Sequence, residues 1–473
     1  YLIKLMIMEI SMNSNYNYKR PPLSLLCDYD NDYVSGDEVE SNKQMILAAL
    51  NEMGLSACVD IVGVNATYSE YVVSLLNEAG NKIKLSDSPI SYHTLVKDCS
   101  LFNAGNIIAE YDYSCGQITV SVPNIKPSVL GLKGLLKDAP RGDFNHKLLG
   151  FKVGRDSSGK DVFCSLAYNS QNYIITGEND EERNCCLKVI ITNLLYSFSP
   201  KGMSFIFISF GGATLKSFAH IPHLLIDEII TEPDRIMKVL SWAADEMKRR
   251  MHLFEMGIDG KTPCNEVVYN RLVDDDKKLP EIVIVLDGYI DPEFPYVKEL
   301  EKRLDGLVNR PYGWGMEHEV LCPHIGLHLI FSVKNWSAHP LHFIGTRLVF
   351  KTGSEKWSRL WLKGHHGAEK LTGHNDMYVY SPGYVGNITR VQGCYISEEE
   401  VKSVTDFIIK NNESAFDDEV KDYIDTHDIG DCSGVTAISF SGTMAEWRRA
   451  GLGNSAPDKG RFIIHCSDGD IVC

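Results

Sequence analysis

Apolar positions change their period along the chain. Between Ser41 and Gly54, the residues Met45, Ile46, Ala49, Leu50 and Met53 recur at helical spacing, and Gly54 supplies a natural stop. Alternating or β-branched runs at Cys58–Val64, Tyr71–Leu75, Asn106–Tyr111 and Gln117–Val122 predict strands. These elements predict a small α+β domain over residues 41–140. An irregular polar arm, residues 1–40, precedes it, with one apolar anchor at Pro21-Pro22-Leu23-Ser24-Leu25-Leu26. From Phe151 the pattern changes. Short apolar strands, predicted at Asn172–Thr176, Ser204–Ser209, Glu281–Leu286, Leu327–Val333 and Thr346–Lys351, alternate with helices at Cys185–Tyr196, Asp234–Phe254 and Tyr296–Arg310. That alternation predicts an α/β domain over residues 150–412, a mainly parallel sheet covered on both faces. A helix at Glu398–Lys410 falls near its end. Residues 413–473 form an acidic tail, rich in Gly, Ser and Cys after Asp431, whose weak periodicity assigns no fold.

Composition narrows the class. At 473 residues the chain is too long for one core, and 44% hydrophobic with 23% charged residues is ordinary for globular protein. A net charge of −16 argues against coating nucleic acid by bulk electrostatics, while leaving room for basic loops inside an assembly. The 13 cysteines form no C-x-x-C pair, and only Cys185 and Cys186 are adjacent, which reads as reduced thiols rather than a disulfide or zinc framework. No run approaches the roughly 18 apolar residues that span a bilayer. The opening Tyr1–Ile10 is short and interrupted by Lys4 and Glu9. The expectation is a cytoplasmic chain with no membrane segment of its own. A start on Tyr1 leaves open an upstream anchor or initiation at Met6, Met8 or Met12.

Ligands of open α/β sheets sit at the C-terminal ends of strands, where Gly177 and Asp287 both fall. Between the strand ending at Thr176 and the amphipathic helix starting at Cys185 lies an eight-residue turn, Gly177–Asn184. A phosphate loop in that place reads G-x-x-x-x-G-K-[ST], with backbone N–H groups and a Lys on the phosphates and a hydroxyl on Mg²⁺. By themselves the residues also fit blander roles. The turn fits an ordinary strand-to-helix connection, and Asp287 a turn or capping residue. The carboxylates fit a solvated first turn, and Lys248-Arg249-Arg250 an exposed helix face. His365-His366, with no ligand partners at metal spacing, reads as surface loop.

Several ordered segments carry a family likeness: Gly154–Lys160, Ile221–Leu225, Trp242–Arg250 with Leu253-Phe254, Gly367–Gly373 with Asn375-Asp376-Met377, and Arg390-Val391-Gln392-Gly393. On these the chain resembles the FtsK/SpoIIIE DNA translocases, from the Pro21 anchor to about His427. The resemblance implies a RecA-like P-loop NTPase fold preceded by a small α+β domain. It also implies a hexameric ring around double-stranded DNA, ATP and Mg²⁺ between subunits, and a part in chromosome partitioning and cell division. The family's winged-helix domain is not recognisable after Asp418–Ile424.

Carried over residue by residue, the resemblance keeps some of the site and not the rest. Gly177 is retained, Glu182 stands at the second Gly, Arg183 at the Lys and Asn184 at the Ser/Thr. Glu178, Asp180, Glu181 and Glu182 would meet an anionic triphosphate. Like charges at about 4 Å repel by roughly 1 kcal/mol each in water, and a helix dipole attraction of about 0.3–1 kcal/mol does not offset several of them. Asp287 ends the Walker B strand and would face Mg²⁺, but Gly288 occupies the position of the Glu that polarises water, a group worth ~10²–10⁴-fold in rate. Ser209-Phe210-Gly211 and Lys334-Asn335 also depart from the family pattern. Arg359, after Ser358, matches a pair that would face a neighbouring subunit's nucleotide. The expectation is a motor-fold subunit of a homo- or hetero-oligomeric ring with a non-hydrolysing or impaired site. An active translocase, or a protein-binding adaptor that has left DNA, are the alternatives.

Overall fold

The computed structural model describes residues 18–29, 34–88, 90–103, 106–112, 116–137, 149–167, 172–259, 261, 263, 265–288, 290, 293–308, 325–334, 344–381, 387–427, 463–466 and 469–472. The first helix, Gly36–Glu52, starts earlier than its apolar pattern predicts because Ser35 caps it, its hydroxyl accepting the Glu38 N–H at 3.2 Å. Ile46 and Leu50 are fully buried, whereas Met45 is 37% exposed, so the inward stripe is narrower than predicted. The helix packs on an antiparallel sheet of β1 (Ala57–Val64), β2 (Tyr68–Leu76), β3 (Lys82–Ile83), β4 (Ile108–Asp112) and β5 (Gln117–Pro123). The order is β1-β2-β5-β4, with β3 against β2. β2 extends three residues upstream of its predicted start. Tyr68, Ser69 and Glu70 are all buried, so this stretch lacks the alternation that marks a half-exposed strand. Two short helices, Tyr92–Asp98 and Ser100–Asn103, were not predicted.

The second sheet has ten strands: β6 (Gly150–Asp156), β7 (Asp161–Ser165), β8 (Asn172–Thr176), β9 (Met203–Phe210), β10 (Leu224–Ile230), β11 (Glu281–Gly288), β12 (Leu327–Ser332), β13 (Thr346–Val349), β14 (Asp376–Ser381) and β15 (Asn387–Gly393). Their order is β10-β9-β11-β12-β8-β13-β14-β15-β6-β7. The strands from β10 to β13 run parallel, and those from β13 to β7 pair antiparallel. All five predicted parallel strands are present. The unpredicted ones carry charged or polar residues inside their runs: Asp227 and Glu228 on the edge strand β10, and Asp376, Arg390 and Gln392 on β14 and β15.

Side chains alternate between two cores. Tyr173, Ile175, Phe205, Phe207, Val283, Val285 and Ile330 face one, while Ile174, Ile206, Ile208, Ile282, Ile284, Leu329 and Phe331 face the other. Leu26 and Leu132–Leu136 join the first of these cores. That core is dominated by the helix Asp180–Ser197, which differs from the predicted amphipathic one. From Glu182 to Ser197 every residue except Asn184 and Lys188 is buried. It is covered by the arm at Leu23 and Leu25 and by the helix Glu398–Asn411. Pro233–Met256, Val297–Val308, Glu355–Trp361 and Asp418–Thr426 cover the other face. Tyr296, predicted as helical, precedes its helix with φ 67°. In the tail, Ile463–Cys466 and Gly469–Val472 pair as a hairpin. Among the described residues no helix is long and apolar enough to cross a membrane, and Cys27, Cys58, Cys99, Cys164, Cys185, Cys186 and Cys394 are free thiols.

At the N-terminal end of the parallel strands lies a buried charge cluster. Arg250, expected on an exposed face, is 1% exposed. Its Nε donates to Glu246 at 2.6 Å and its Nη1 to the carbonyls of Ile325 and Gly326 at 2.9 and 3.0 Å; Lys248 and Arg249 are the exposed members of that run. His328 Nε2 lies 2.9 Å from Glu281, and Asn270 donates to Glu266. Burial and the neighbouring Glu281 push the Glu266 carboxyl up from 4.5 to about 10, with Arg250 opposing. The folded state therefore holds a proton that the unfolded chain releases. This contribution to stability is full below the unfolded carboxyl pKa and declines as pH rises towards the folded value. In Glu266→Gln the stability difference from wild type should grow in the variant's favour between about pH 5 and about pH 9, read from urea midpoints.

Candidate functional site

At the end of β8 the chain turns on Gly177, where φ is 155° and a Cβ would lie 2.6 Å from Cβ of Phe350, the residue after β13. Glu178 donates its N–H to the Lys351 carbonyl at 2.8 Å. Asn179 then caps the helix, its Oδ1 accepting the Glu181 N–H at 2.9 Å, and its carbonyl accepts the Arg183 N–H at 3.4 Å. The helix begins at Asp180, not at Cys185 as the apolar pattern predicts. The turn is thus residues 177–179 alone. The signal was present in the sequence: an Asn followed by Asp180, Glu181 and Glu182 is a helix N-terminus signature.

The charges of this first turn are largely satisfied from within. Arg183 is 6% exposed; Nη1 donates to the Gly177 carbonyl at 2.6 Å and Nη2 pairs with Asp180. Glu182 is 5% exposed and accepts the Asn375 N–H at 3.1 Å, and burial raises its carboxyl above the usual range. Asn184 is half-buried, while Glu178 and Asp180 are exposed.

Asp287 lies one strand away, since β12 separates β11 from β8, and is level with Ser209 and Ser332. It is 1% exposed, and burial raises its carboxyl, with Thr214, Ser332 and Arg183 acting in the other direction. Gly212 packs so closely on that carboxylate that a Cβ has no room, and its carbonyl accepts the Ser209 hydroxyl at 2.9 Å. Gly288 has φ 119°; a Cβ there would sit 2.7 Å from the Phe210 carbonyl oxygen, and Gly288 bridges Gly211. The loop after β9 therefore lies against the end of β11.

In this arrangement the residues do not fit a magnesium–nucleotide complex. The amides of Glu178, Glu181 and Arg183 have acceptors within the turn and its neighbours, so they do not form a phosphate cradle. For the metal, Asn184, expected at the place of a liganding hydroxyl, has none to offer, and the strand-end carboxylate of Asp287 is sealed beneath Gly212. Among the described residues no group of three or more His, Cys, Asp or Glu could hold a metal ion. Arg359 is half-exposed on its helix and bonds Glu355 and the Gly364 carbonyl of its own segment. Lys334 is half-buried, Asn335 lies outside the described residues, and His365 and His366 are exposed as expected. Sequence reasoning gave no role to Phe350, Gly212 or Asn375; their positions depend on pairing and loop contacts that no local pattern encodes.

A parallel sheet between two helical layers, with a turn-and-helix after β8 and an acid-ended strand set one strand away, defines the RecA-like P-loop NTPase fold. Residues 134–344 match the FtsK/SpoIIIE family, and this stretch is an FtsK/SpoIIIE family domain. Over 426 residues the chain is 26% identical to the DNA translocase FtsK of Staphylococcus epidermidis, covering 87% of this chain and 50% of that one. Over 315 residues it is 31% identical to the DNA translocase FtsK of Clostridium tetani, covering 65% and 40%. The chain thus spans about half the length of the curated relatives it matches or less. Among solved structures it is similar to the cytoplasmic domain of the Thermomonospora curvata Type VII Secretion ATPase EccC, with a TM-score of 0.49 and 18% identity over 61% of this chain and 35% of that one.

The positive φ and the Phe210 contact at Gly288 give a direct test. Gly288→Glu should lower stability by about 1–3 kcal/mol, seen as a lower urea midpoint, because the side chain enters a left-handed position already filled by backbone.

Proposed function

We propose that this chain is a motor-fold subunit of a DNA-bound ring whose own nucleotide site does not hydrolyse ATP. The observation that carries the reading is the start of the helix at Asp180, which winds Glu182 and Arg183 into buried internal contacts where a phosphate loop would present open amides. Gly288 at the position of the water-polarising Glu, and Asp287 sealed beneath Gly212, support it from the metal side. Double-stranded DNA as partner, a hexameric ring of this chain alone or with an intact relative, a cytoplasmic position and a part in chromosome partitioning follow from the family likeness. In a ring shared with an intact relative the subunit supplies shape and contacts while the relative supplies turnover, and in a ring of this chain alone the role is structural.

The test is made on the full chain with millimolar ATP and Mg²⁺. A bound nucleotide at about 100 times its Kd would add roughly 2.7 kcal/mol of stability. We expect no rise in melting temperature and phosphate release at background with or without duplex DNA. Duplex binding should weaken steeply between about 50 and 200 mM salt. DNA-stimulated phosphate release by the purified chain would sink the non-hydrolysing reading, and absence of salt-sensitive duplex binding would sink the DNA-bound one.

A further inference from the structure

Glu182 is connected to the first domain through a continuous series of polar contacts. Its carboxylate accepts the Asn375 N–H at 3.1 Å and lies 3.5 Å from where a Cβ on Gly373 would stand. Cys185, on the same helix, accepts from Asn375 Nδ2 at 3.7 Å. Gly373, His374 and Asn375 have φ of 84, 56 and 65°, three left-handed residues in succession, two of them not glycine. Such a run persists only where its surroundings determine it.

Those surroundings reach across the molecule. Asn375 accepts the Gly393 N–H at 2.8 Å, and His374 accepts from Gln392 Nε2 at 2.9 Å. The Oε1 of that same Gln392 accepts the hydroxyl of Thr67, just before β2. Asp376 accepts both Thr372 N–H and Oγ1, and holds Arg390 bidentately at 3.1 and 2.7 Å. The Arg390 guanidinium in turn lies 3.7 Å from the Tyr68 ring centroid. Tyr378 on β14 donates to Glu110 of β4 at 2.6 Å.

We propose that Glu182 is a positioning residue that holds the left-handed turn 373–375 and, through it, fixes the first domain against β14 and β15. The position at which a phosphate loop needs a bare backbone works here as an anchor between domains. Glycine at 182 would leave the Asn375 N–H without its carboxylate acceptor, and the strained turn would lose its contact with the helix. The role concerns the protein without nucleotide and stands apart from whether ATP is hydrolysed.

The test is amide hydrogen exchange by mass spectrometry on the full chain without ATP, comparing wild type with Glu182→Ala and Glu182→Gln. Glu182→Ala should exchange about tenfold faster in peptides covering 372–378 and 66–70 together, with β11 and β12 unchanged. Glu182→Gln, which keeps an acceptor oxygen, should retain most of the protection. If Glu182→Ala fails to fold, Glu182→Asp shortens the reach by one methylene and reads the same coupling. Faster exchange confined to 180–186, with 66–70 as in wild type, would overturn the proposal. Equal loss in the Gln and Ala variants would also overturn it.

Discussion

Nearly complete burial of the helix Asp180–Ser197 constrains the molecule more than any other single fact. From Val189 to Ser197 the helix is covered on every side, so its C-terminal end is not left to solvent and other segments supply partners. At its C-terminal end Tyr18 donates to the Leu195 carbonyl at 2.6 Å and Arg20 to that of Ser197 at 3.2 Å, while Tyr196 donates back to Pro22 at 3.2 Å. The arm is thereby strapped across the helix. Glu400, which completes the capping box of Glu398–Asn411, also accepts from Cys27 N–H and Tyr29 Oη, tying the same arm to the covering helix. With the helix held so firmly, its first turn is delivered to the C-terminal end of the central strand β8 with little freedom. Whatever stands at 182 and 183 must be satisfied there.

The parallel half of the fold was legible because each of its strands is a short apolar run bounded by turn residues, as Tyr173–Thr176 and Glu281–Leu286 show. The antiparallel half was harder to read. β14 and β15 place Asp376, Arg390 and Gln392 inside the protein, where a paired charge and a bridging amide replace apolar contact. Periodicity scores such residues as exposed, so the strands vanish from a local reading. The site was legible in part for a related reason. The residue types at 182, 183, 184 and 288 can be read from the letters. The early start of the helix needed attention to Asn179 as a cap, and the closure of the β9 loop over Asp287 depends on backbone contacts with Gly211 and Gly212 that leave no sequence period.

Polar burial is distributed unevenly. One cluster, around Glu266, Glu281 and Arg250, sits at the N-terminal end of the parallel strands. Another, around Arg390 and Asp376, lies where the ten-stranded sheet meets Tyr68 of the antiparallel one. Each is a place where removing one partner costs far more than the pair contributes, because the remaining charge has no water to return to. The start of the parallel strands and the antiparallel strands β14 and β15 are therefore specified by charge geometry, and the rest of the sheet by apolar packing.

The backbone at Gly288 carries a consequence for how this chain can change. With φ at 119° and the Phe210 carbonyl already against the Cβ position, a glutamate there is of no use until the β9 loop has withdrawn. That loop is itself held by the Ser209 hydroxyl and by the fit of Gly212 on Asp287. The two adjustments have to arrive together, and each alone is unfavourable. An acid at 288 alone therefore brings backbone strain without reaching open space, and the strand end and the β9 loop can change only as a unit.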